Sequence, residues 1–396
     1  MSPLVDVSSP VPNSARATIS LAFFGSGFLL ASWVVHIPRV RTLLGLSDGE
    51  LGLILWAATF GLLLGMTLGG WIVERFRSQR VTGYTLCCLG VATILTVIST
   101  NRFALALALI PFGFLHGLID VSMNSQAAAF EQRTGRAAMS SFHAFFSLGG
   151  LIGTLFGVAL LAMRLSPFIQ APVTSLPFTI AGLFMYRRFI PEERREHSNG
   201  FFISFPSGKV LPLALMAFVF FLTEGAIYDW SGVFLRTHLR VDISAAGIGY
   251  AGFSLMMAAI RFGGDFWVAR FGRFVVFITG GLVGAAGLAL ACLGGFFPIS
   301  VVGFGLVGVG LANCVPLIFA AAARQSEEGF GRGIAAVASA GYMGMFVGPP
   351  VIGSIAQVIG LQSALLLVAG SLVLTLLVTR AGLGQQEEHS LHRSSA

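Results

Sequence analysis

His116, Asp120 and Asn124 lie within FLHGLIDVSMNSQ, residues 114–126, a stretch otherwise apolar enough to sit in hydrocarbon. An imidazole, a carboxylate and an amide are groups that move protons and order polar ligands. On a helix, residues four apart lie one above the other, so the three form a polar stripe with steps of about 6 Å. A carboxylate at the middle of a bilayer costs roughly 2.5–3.5 kcal/mol on insertion scales. The stripe must therefore face protein or water. Desolvation penalises a charged carboxylate, which lets such a group take a proton from one side and release it to the other. Asp120 is the first choice for that role, with His116 as its hydrogen-bond partner or relay. Glu224 is the second, and Tyr228 shares its face. Asp229, five residues beyond Glu224, lies about 140° round the helix and points to another helix or to the outer mouth. A helix-packing hydrogen-bond cluster, or solute contact without proton movement, is the competing reading of the same residues.

These groups need long apolar elements to hold them. The chain has 396 residues, 55% of them hydrophobic and 10% charged, with a mean hydropathy of +0.85. Soluble domains carry about a quarter charged residues. Twelve apolar runs of spanning length recur: 18–38, 51–73, 81–99, 103–129, 138–163, 167–185, 211–235, 243–268, 274–296, 298–323, 334–358 and 361–379. They lack the ten-residue alternation of a membrane barrel. The expected fold is an all-α membrane protein with twelve transmembrane helices. No cleavable leader is expected, because residues 1–17 are polar and the first apolar run is long enough to span.

The formal charge is +7, but its placement argues against nucleic acid. Of the 24 Lys and Arg residues, 17 fall in segments that share one side if both termini are cytoplasmic, and 6 fall on the other, with Arg261 inside a span. That asymmetry is a positive-inside pattern. Cys87, Cys88, Cys292 and Cys314 all lie in spans without metal-ligand spacing, and read as small buried hydrophobes. No metal or cofactor is expected. The GxSxG, Walker and metal-hydrolase spacings are absent from the sequence, so an enzyme is disfavoured.

RRFIPEERREHSNGFFISFPSGK, residues 187–209, mixes charge, Pro, Gly and Ser, and reads as a cytoplasmic linker. It divides the chain into a tail (1–17), a six-helix bundle (18–186), the linker, a second bundle (210–379) and a C-terminal tail (380–396). A shift of 197 lays Trp33 on Trp230, Arg39 on Arg236, Ser47 on Ser244 and Gly52 on Gly249. A shift of 195 lays Gly69, Arg75 and Phe76 on Gly264, Arg270 and Phe271, and one of 193 lays Asp120 on Asn313. The halves are parallel repeats, as in a two-bundle transporter with its site between them.

GGWIVERFRSQR, residues 69–80, resembles the loop signature of the major facilitator superfamily, with Gly70, Glu74, Arg75 and Arg80 in the matching positions. Glu74 stands for the usual Asp. Arg77 stands for the second Gly, which leaves the tight turn without its ordinary residue. LIDVSMNSQAAAFE, MSSFHAFFSLGGLIG and TEGAIYDWSGVFL are similar to segments of the bacterial YbjJ-like inner-membrane proteins near the fucose permeases. The resemblance implies two six-helix bundles related by a pseudo-two-fold, with spans one, four, seven and ten lining a central cavity. It therefore implies that Asp120, Glu224 and Asn313, at a common depth, see the solute.

Asn124, Tyr228, Asp229, Phe28, Trp33, Trp230 and His143 complete the expected cavity set, although a membrane-interface belt suits the two tryptophans equally. Gly70, Glu74, Arg75, Arg80, Arg261, Asp265 and Arg270 form the expected gating set at the inner end. Without a cationic group in spans one, four, seven or ten, a neutral polar or cationic solute fits better than an anion. The expected function is proton-coupled secondary transport of a small polar compound by a monomer in a bacterial inner membrane. The fucose-permease resemblance tilts that expectation towards a sugar-like solute. Export of hydrophobic or cationic compounds is the alternative.

Overall fold

The computed structural model describes residues 14–136, 138–191, 208, 210–325 and 330–379, without the side chains of 265 and 323–332. Most of the linker and both tails lie outside the described residues. Hydrocarbon offers no partner to a backbone amide, so these apolar runs satisfy their amides internally as helices. Among the described residues, eleven are long and apolar enough to cross a membrane: α1 (Ala15–Leu43), α2 (Asp48–Phe76), α3 (Ser78–Ile98), α4 (Arg102–Thr134), α5 (Met139–Ala162), α6 (Pro167–Arg188), α7 (Val210–Thr237), α8 (Ile243–Phe262), α9 (Arg273–Leu293), α10 (Phe297–Ala322) and α11 (Gly333–Ile359). The twelfth run carries a shorter apolar helix, α12 (Leu361–Leu376). Its 16 residues rise about 24 Å, less than a hydrocarbon core of about 30 Å.

Among the described residues, three of these helices are interrupted. α1 steps at Val35–His36, α8 at Gly247 and α10 at Ala312–Asn313. A short helix, Gly264–Phe271, joins α8 to α9.

The packing repeats along the chain. α1 pairs with α5, α2 with α4 and α3 with α6; six helices on, α7 pairs with α11, α8 with α10 and α9 with α12. Two further contacts, α5 with α8 and α2 with α11, join the first six helices to the last six. Small residues set the closest crossing. A Cβ on Gly61, Gly65, Gly113 or Gly117 would overlap the facing backbone of Ile110, Phe114, Ala58 or Leu62. This is the close approach by which helices associate when lipid removes the hydrophobic drive.

The turn after α2 survives the loss of its glycine. Arg77 takes φ 70° and ψ 135°, close to Gly272 at φ 79° and ψ 158° in the matching turn before α9. The next helix must reverse direction there whatever the residue, and Arg77 carries the left-handed strain. Arg77→Gly is expected to raise stability by about 1–2 kcal/mol, measured as a higher Tm of the purified protein.

Gln126 fastens the same end of the first six helices. Fully buried, it donates to Ser78 Oγ at 2.5 Å and Ile190 O at 3.0 Å, while its Oε1 accepts from Ile190 N at 2.9 Å. Arg133 adds a bond to Pro191 O at 2.8 Å. Gln126→Leu would strand the amide and carbonyl of Ile190, with an expected loss of about 1–3 kcal/mol that a Tm comparison would read.

Candidate functional site

The polar groups of α4, α7 and α11 meet at mid-helix. Asp120 Oδ2 accepts from the Tyr342 hydroxyl at 3.3 Å, a bond across 222 residues that joins the first half of the chain to the second. Asp120 Oδ1 accepts from Asn124 Nδ2 at 3.2 Å, and the same amide reaches the Asp120 carbonyl at 2.8 Å. Asn124 Oδ1 lies 3.2 Å from His143 Nε2 on α5. On α7, the Tyr228 hydroxyl donates to Glu224 Oε1 at 2.5 Å, as expected for a pair four residues apart. Glu224 lies within electrostatic reach of Asp120, Tyr342 and Tyr250. Asp120, Asn124, Glu224, Tyr228 and Tyr342 are all half-buried rather than sealed. Aromatic rings flank both carboxylates: Phe221 packs edge-on to Tyr342 at 5.2 Å, and Tyr228 does so to Tyr250 at 5.4 Å.

His116 is not the partner of Asp120. Its Nδ1 turns back to Phe112 O on its own helix at 3.1 Å, and its ring packs on Phe112 at 4.5 Å. Tyr342 takes the partner position. Nothing in AGYMGMFVG, residues 340–348, singles that tyrosine out beforehand.

Arg261 reaches further than an inner-gate role requires. Its Nη1 donates to Ser147 Oγ on α5 at 3.2 Å and its Nε points to Ala312 O, at the α10 step, at 3.5 Å. Ser140 Oγ donates to the Arg261 carbonyl at 3.2 Å. The guanidinium thus bridges the two halves and lies within electrostatic reach of His143, Tyr228 and Tyr250. A cationic group does stand beside the polar cluster, contributed by span eight. Ser147 gives its hydroxyl to the His143 carbonyl at 3.4 Å, whereas the His143 ring serves Asn124.

Other expected residues lie elsewhere. Phe28 is buried against Phe178 at 4.9 Å and Phe156 at 6.0 Å, in the packing of α1 with α6 and α5. Trp33 and Trp230 are buried, 3% and 0% exposed, which excludes a belt at the membrane surface. Asn313 sits in the α10 step facing the α8–α9 connection, its Oδ1 2.5 Å from where a Cβ of Gly264 would be. A Cβ on Gly70 would meet nothing within 4 Å. Arg75, Arg80 and Arg270 are exposed and Glu74 is half-buried. The Asp265 side chain lies outside the described residues. Of the cysteines, Cys292 and Cys314 are buried, but Cys87 is half-buried and Cys88 exposed.

Asp229 is half-buried and bonds to no other described side chain. Its strip of α7 runs from Gly225, whose Cβ would lie 3.5 Å from Met345, to Gly232, whose Cβ would lie 3.0 Å from Pro38. The carboxylate therefore lies along the α7 face between α11 and the Pro38 turn, one turn nearer the closed end than Glu224.

That end, away from Arg77 and Gln126, is shut by close contacts. A Cβ on Gly52 of α2 would lie 2.5 Å from Pro349 O and 3.1 Å from Gly353 Cα on α11, and Gly49 N donates to Gln357 Oε1 at 3.3 Å. Ser47 and Glu50 form a capping box that fixes the start of α2 there. Arg41–Asp48 and Arg102–Glu50 ion pairs, both 2.8 Å, tie the adjoining turns.

Comparison with known proteins agrees with this architecture. Residues 213–394 match the Major Facilitator Superfamily. The chain is 35% identical to an uncharacterized MFS-type transporter of Yersinia pestis, over 89% of this chain and 91% of that protein. It is 31% identical to the membrane protein MosC of Rhizobium meliloti, over 88% and 86%. Among solved structures, nucleoside transporter NupG (D323A mutant) superposes with a TM-score of 0.72 at 13% identity, covering 93% of this chain and 99% of that one. A bacterial homologue of the human lysosomal transporter Spinster, inward-facing and occupied, gives 0.73 at 13%, covering 94% and 97%. An all-helical chain whose length is shared with such relatives is a multi-pass membrane transporter, and it belongs to the major facilitator superfamily.

Proposed function

We propose that the chain is a proton-coupled secondary transporter that moves a small polar solute across a bacterial inner membrane by alternating access. Helices 1–6 and 7–12 act as two bundles, residues 18–186 and 210–379, joined by the linker and with both termini cytoplasmic. The observation that carries this reading is the Asp120–Tyr342 hydrogen bond, which sets an ionisable group of one half on the other half, beside Glu224. Asp120 then gains and loses the proton. Its charge state alters its hold on Tyr342, and so the fit between the halves. Asn124, His143 and Glu224 line the solute site. Arg261 latches α5 to α8 and α10. The sealed Gly52–Gly353 crossing represents the state closed to the outside.

The test is flux in proteoliposomes carrying an imposed pH gradient, with solutes first selected by thermal shift from sugars, amino acids, nucleosides and amines. Gradient-dependent movement of a selected solute supports the reading. Movement at the same rate with the gradient collapsed, for every selected solute, overturns proton coupling. The same assay in both vesicle orientations separates import from export. The rings around Asp120 and Glu224 suit export of an amphipathic cation as the second reading.

A further inference from the structure

The two carboxylate oxygens of Asp120 have unlike neighbours. Oδ1 accepts from Asn124 Nδ2 at 3.2 Å, within α4, and Oδ2 accepts from the Tyr342 hydroxyl of α11 at 3.3 Å. A carboxylate that takes up one proton places it on one oxygen or the other. On Oδ2 the proton enters the hydrogen bond between the halves. On Oδ1 it stays within a single helix.

The Asn124 amide is held in one orientation from both of its ends. Nδ2 also meets the Asp120 backbone carbonyl at 2.8 Å, and that carbonyl accepts whatever the charge on the side chain. Turning the amide over would set Asn124 Oδ1 against it, acceptor to acceptor. At the other end, Asn124 Oδ1 lies 3.2 Å from His143 Nε2 on α5. An amide oxygen only accepts, so Nε2 carries a proton, as it does in the imidazolium and in one of the two neutral tautomers. Phe23 of α1 packs edge-on to that ring at 5.1 Å and steadies it.

Oδ1 therefore faces an N–H whatever the charge on Asp120. A proton placed there would point at another proton. The Tyr342 hydroxyl, by contrast, rotates, and serves as donor or acceptor. The other charged and titratable groups nearby leave this inequality in place. Glu224 on α7 acts on Asp120 and Tyr342 through its charge. Arg261 on α8 acts on His143 in the same way, with its Nη1 bonded to Ser147. His116, on α4 itself, is turned to Phe112 O. Among the described residues, none of these bonds to either oxygen.

Resting on proton coupling at Asp120, we propose that His143 and Asn124 are positioning residues that confine the transported proton to Oδ2. Proton uptake then reverses the bond between the halves. Tyr342 donates to the ionised carboxylate, whereas the protonated carboxyl donates to Tyr342, whose own proton turns away. Without the His143 N–H, the Asn124 oxygen lacks its donor and the amide is no longer held over Oδ1. The proton then reaches Oδ1 and no longer acts on α11.

The test compares flux under an imposed pH gradient with gradient-free exchange of the same solute, as a ratio, in proteoliposomes of the full-length protein. His143→Gln, whose amide N–H replaces Nε2–H, is expected to keep the parent ratio. His143→Met, similar in length but without a donor, is expected to lower it about tenfold, the weight of one hydrogen bond. Tm shows that each variant is folded. Infrared difference spectra between high and low pH give a reading that needs no solute, with the protonated Asp120 band assigned by its loss in Asp120→Asn. The carbonyl stretch reports the donors to the oxygen that lacks the proton. Asn124→Leu is expected to raise its frequency, and Tyr342→Phe to move it less. Equal ratios for His143→Gln and His143→Met, or a carbonyl band that follows Tyr342 rather than Asn124, would overturn the positioning role alone. Should His143→Met not fold, the infrared comparison decides. A parent protein with neither gradient-dependent flux nor an Asp120 band would overturn the coupling reading as well.

Discussion

Asp120→Asn is expected to reduce gradient-driven solute movement to the level of empty liposomes, with the protein still inserted and folded. The asparagine keeps nearly the same shape, and its carbonyl oxygen can still accept from Tyr342. Its new amide, however, cannot accept from Asn124, so the folded state loses roughly 1 kcal/mol for that contact. What disappears is the group proposed to take up the proton on one side and release it on the other. Solute exchange without a gradient, with the same compound on both sides, is expected to persist, because the Glu224 side of the site is unaltered. Measuring both fluxes on one preparation separates the outcomes. Unchanged gradient dependence in both Asp120→Asn and Glu224→Gln would show that the proton is carried elsewhere.

Gly52→Trp is expected to hold the closed end open. A methyl group alone would lie 2.5 Å from Pro349 O and 3.1 Å from Gly353 Cα, both backbone atoms that cannot swing aside as a side chain would. An indole at that position excludes α11 from its present seat. Net transport is expected to stop while solute binding persists, since Asp120, Glu224 and Tyr342 are deeper along the helices. Spin labels at the α1–α2 and α7–α8 turns would report a larger separation than in the parent protein. An unchanged separation together with normal flux would mean that this crossing does not close during the cycle.

Much of this arrangement is legible in the sequence, and the missed parts share a cause. Long apolar runs and a shared offset announce the helices and their repeated packing, because hydrocarbon leaves the backbone a single solution. The Glu224–Tyr228 pair follows from spacing within one helix. Tyr342 does not, since a partner 222 residues away is fixed by how α11 packs, and its flanks carry no polar pattern. The same holds for Arg261 and Ser147. His116 misleads for a local reason: a stripe gives the face of a helix, but a backbone carbonyl one turn earlier can capture the ring. Phe28 misleads because an aromatic on an inner span fits α6 as readily as a cavity. Arg77 shows the reverse, a turn imposed by the helices around it on a residue that resists the geometry.

Transport by this site requires Asp120 and Glu224 to meet in one water-filled chamber that opens to each side in turn. Labelling tests that requirement most directly. The variant Asn124→Cys, in protein whose four native cysteines have been replaced, is treated with a membrane-impermeant thiol reagent in right-side-out and inside-out vesicles. With Gly52 intact, labelling is expected from the side bearing Arg77 and Gln126; adding Gly52→Trp is expected to move it to the opposite side. If the introduced thiol reacts from neither side in either background, the carboxylates lie in a dry packing contact and the chamber does not exist.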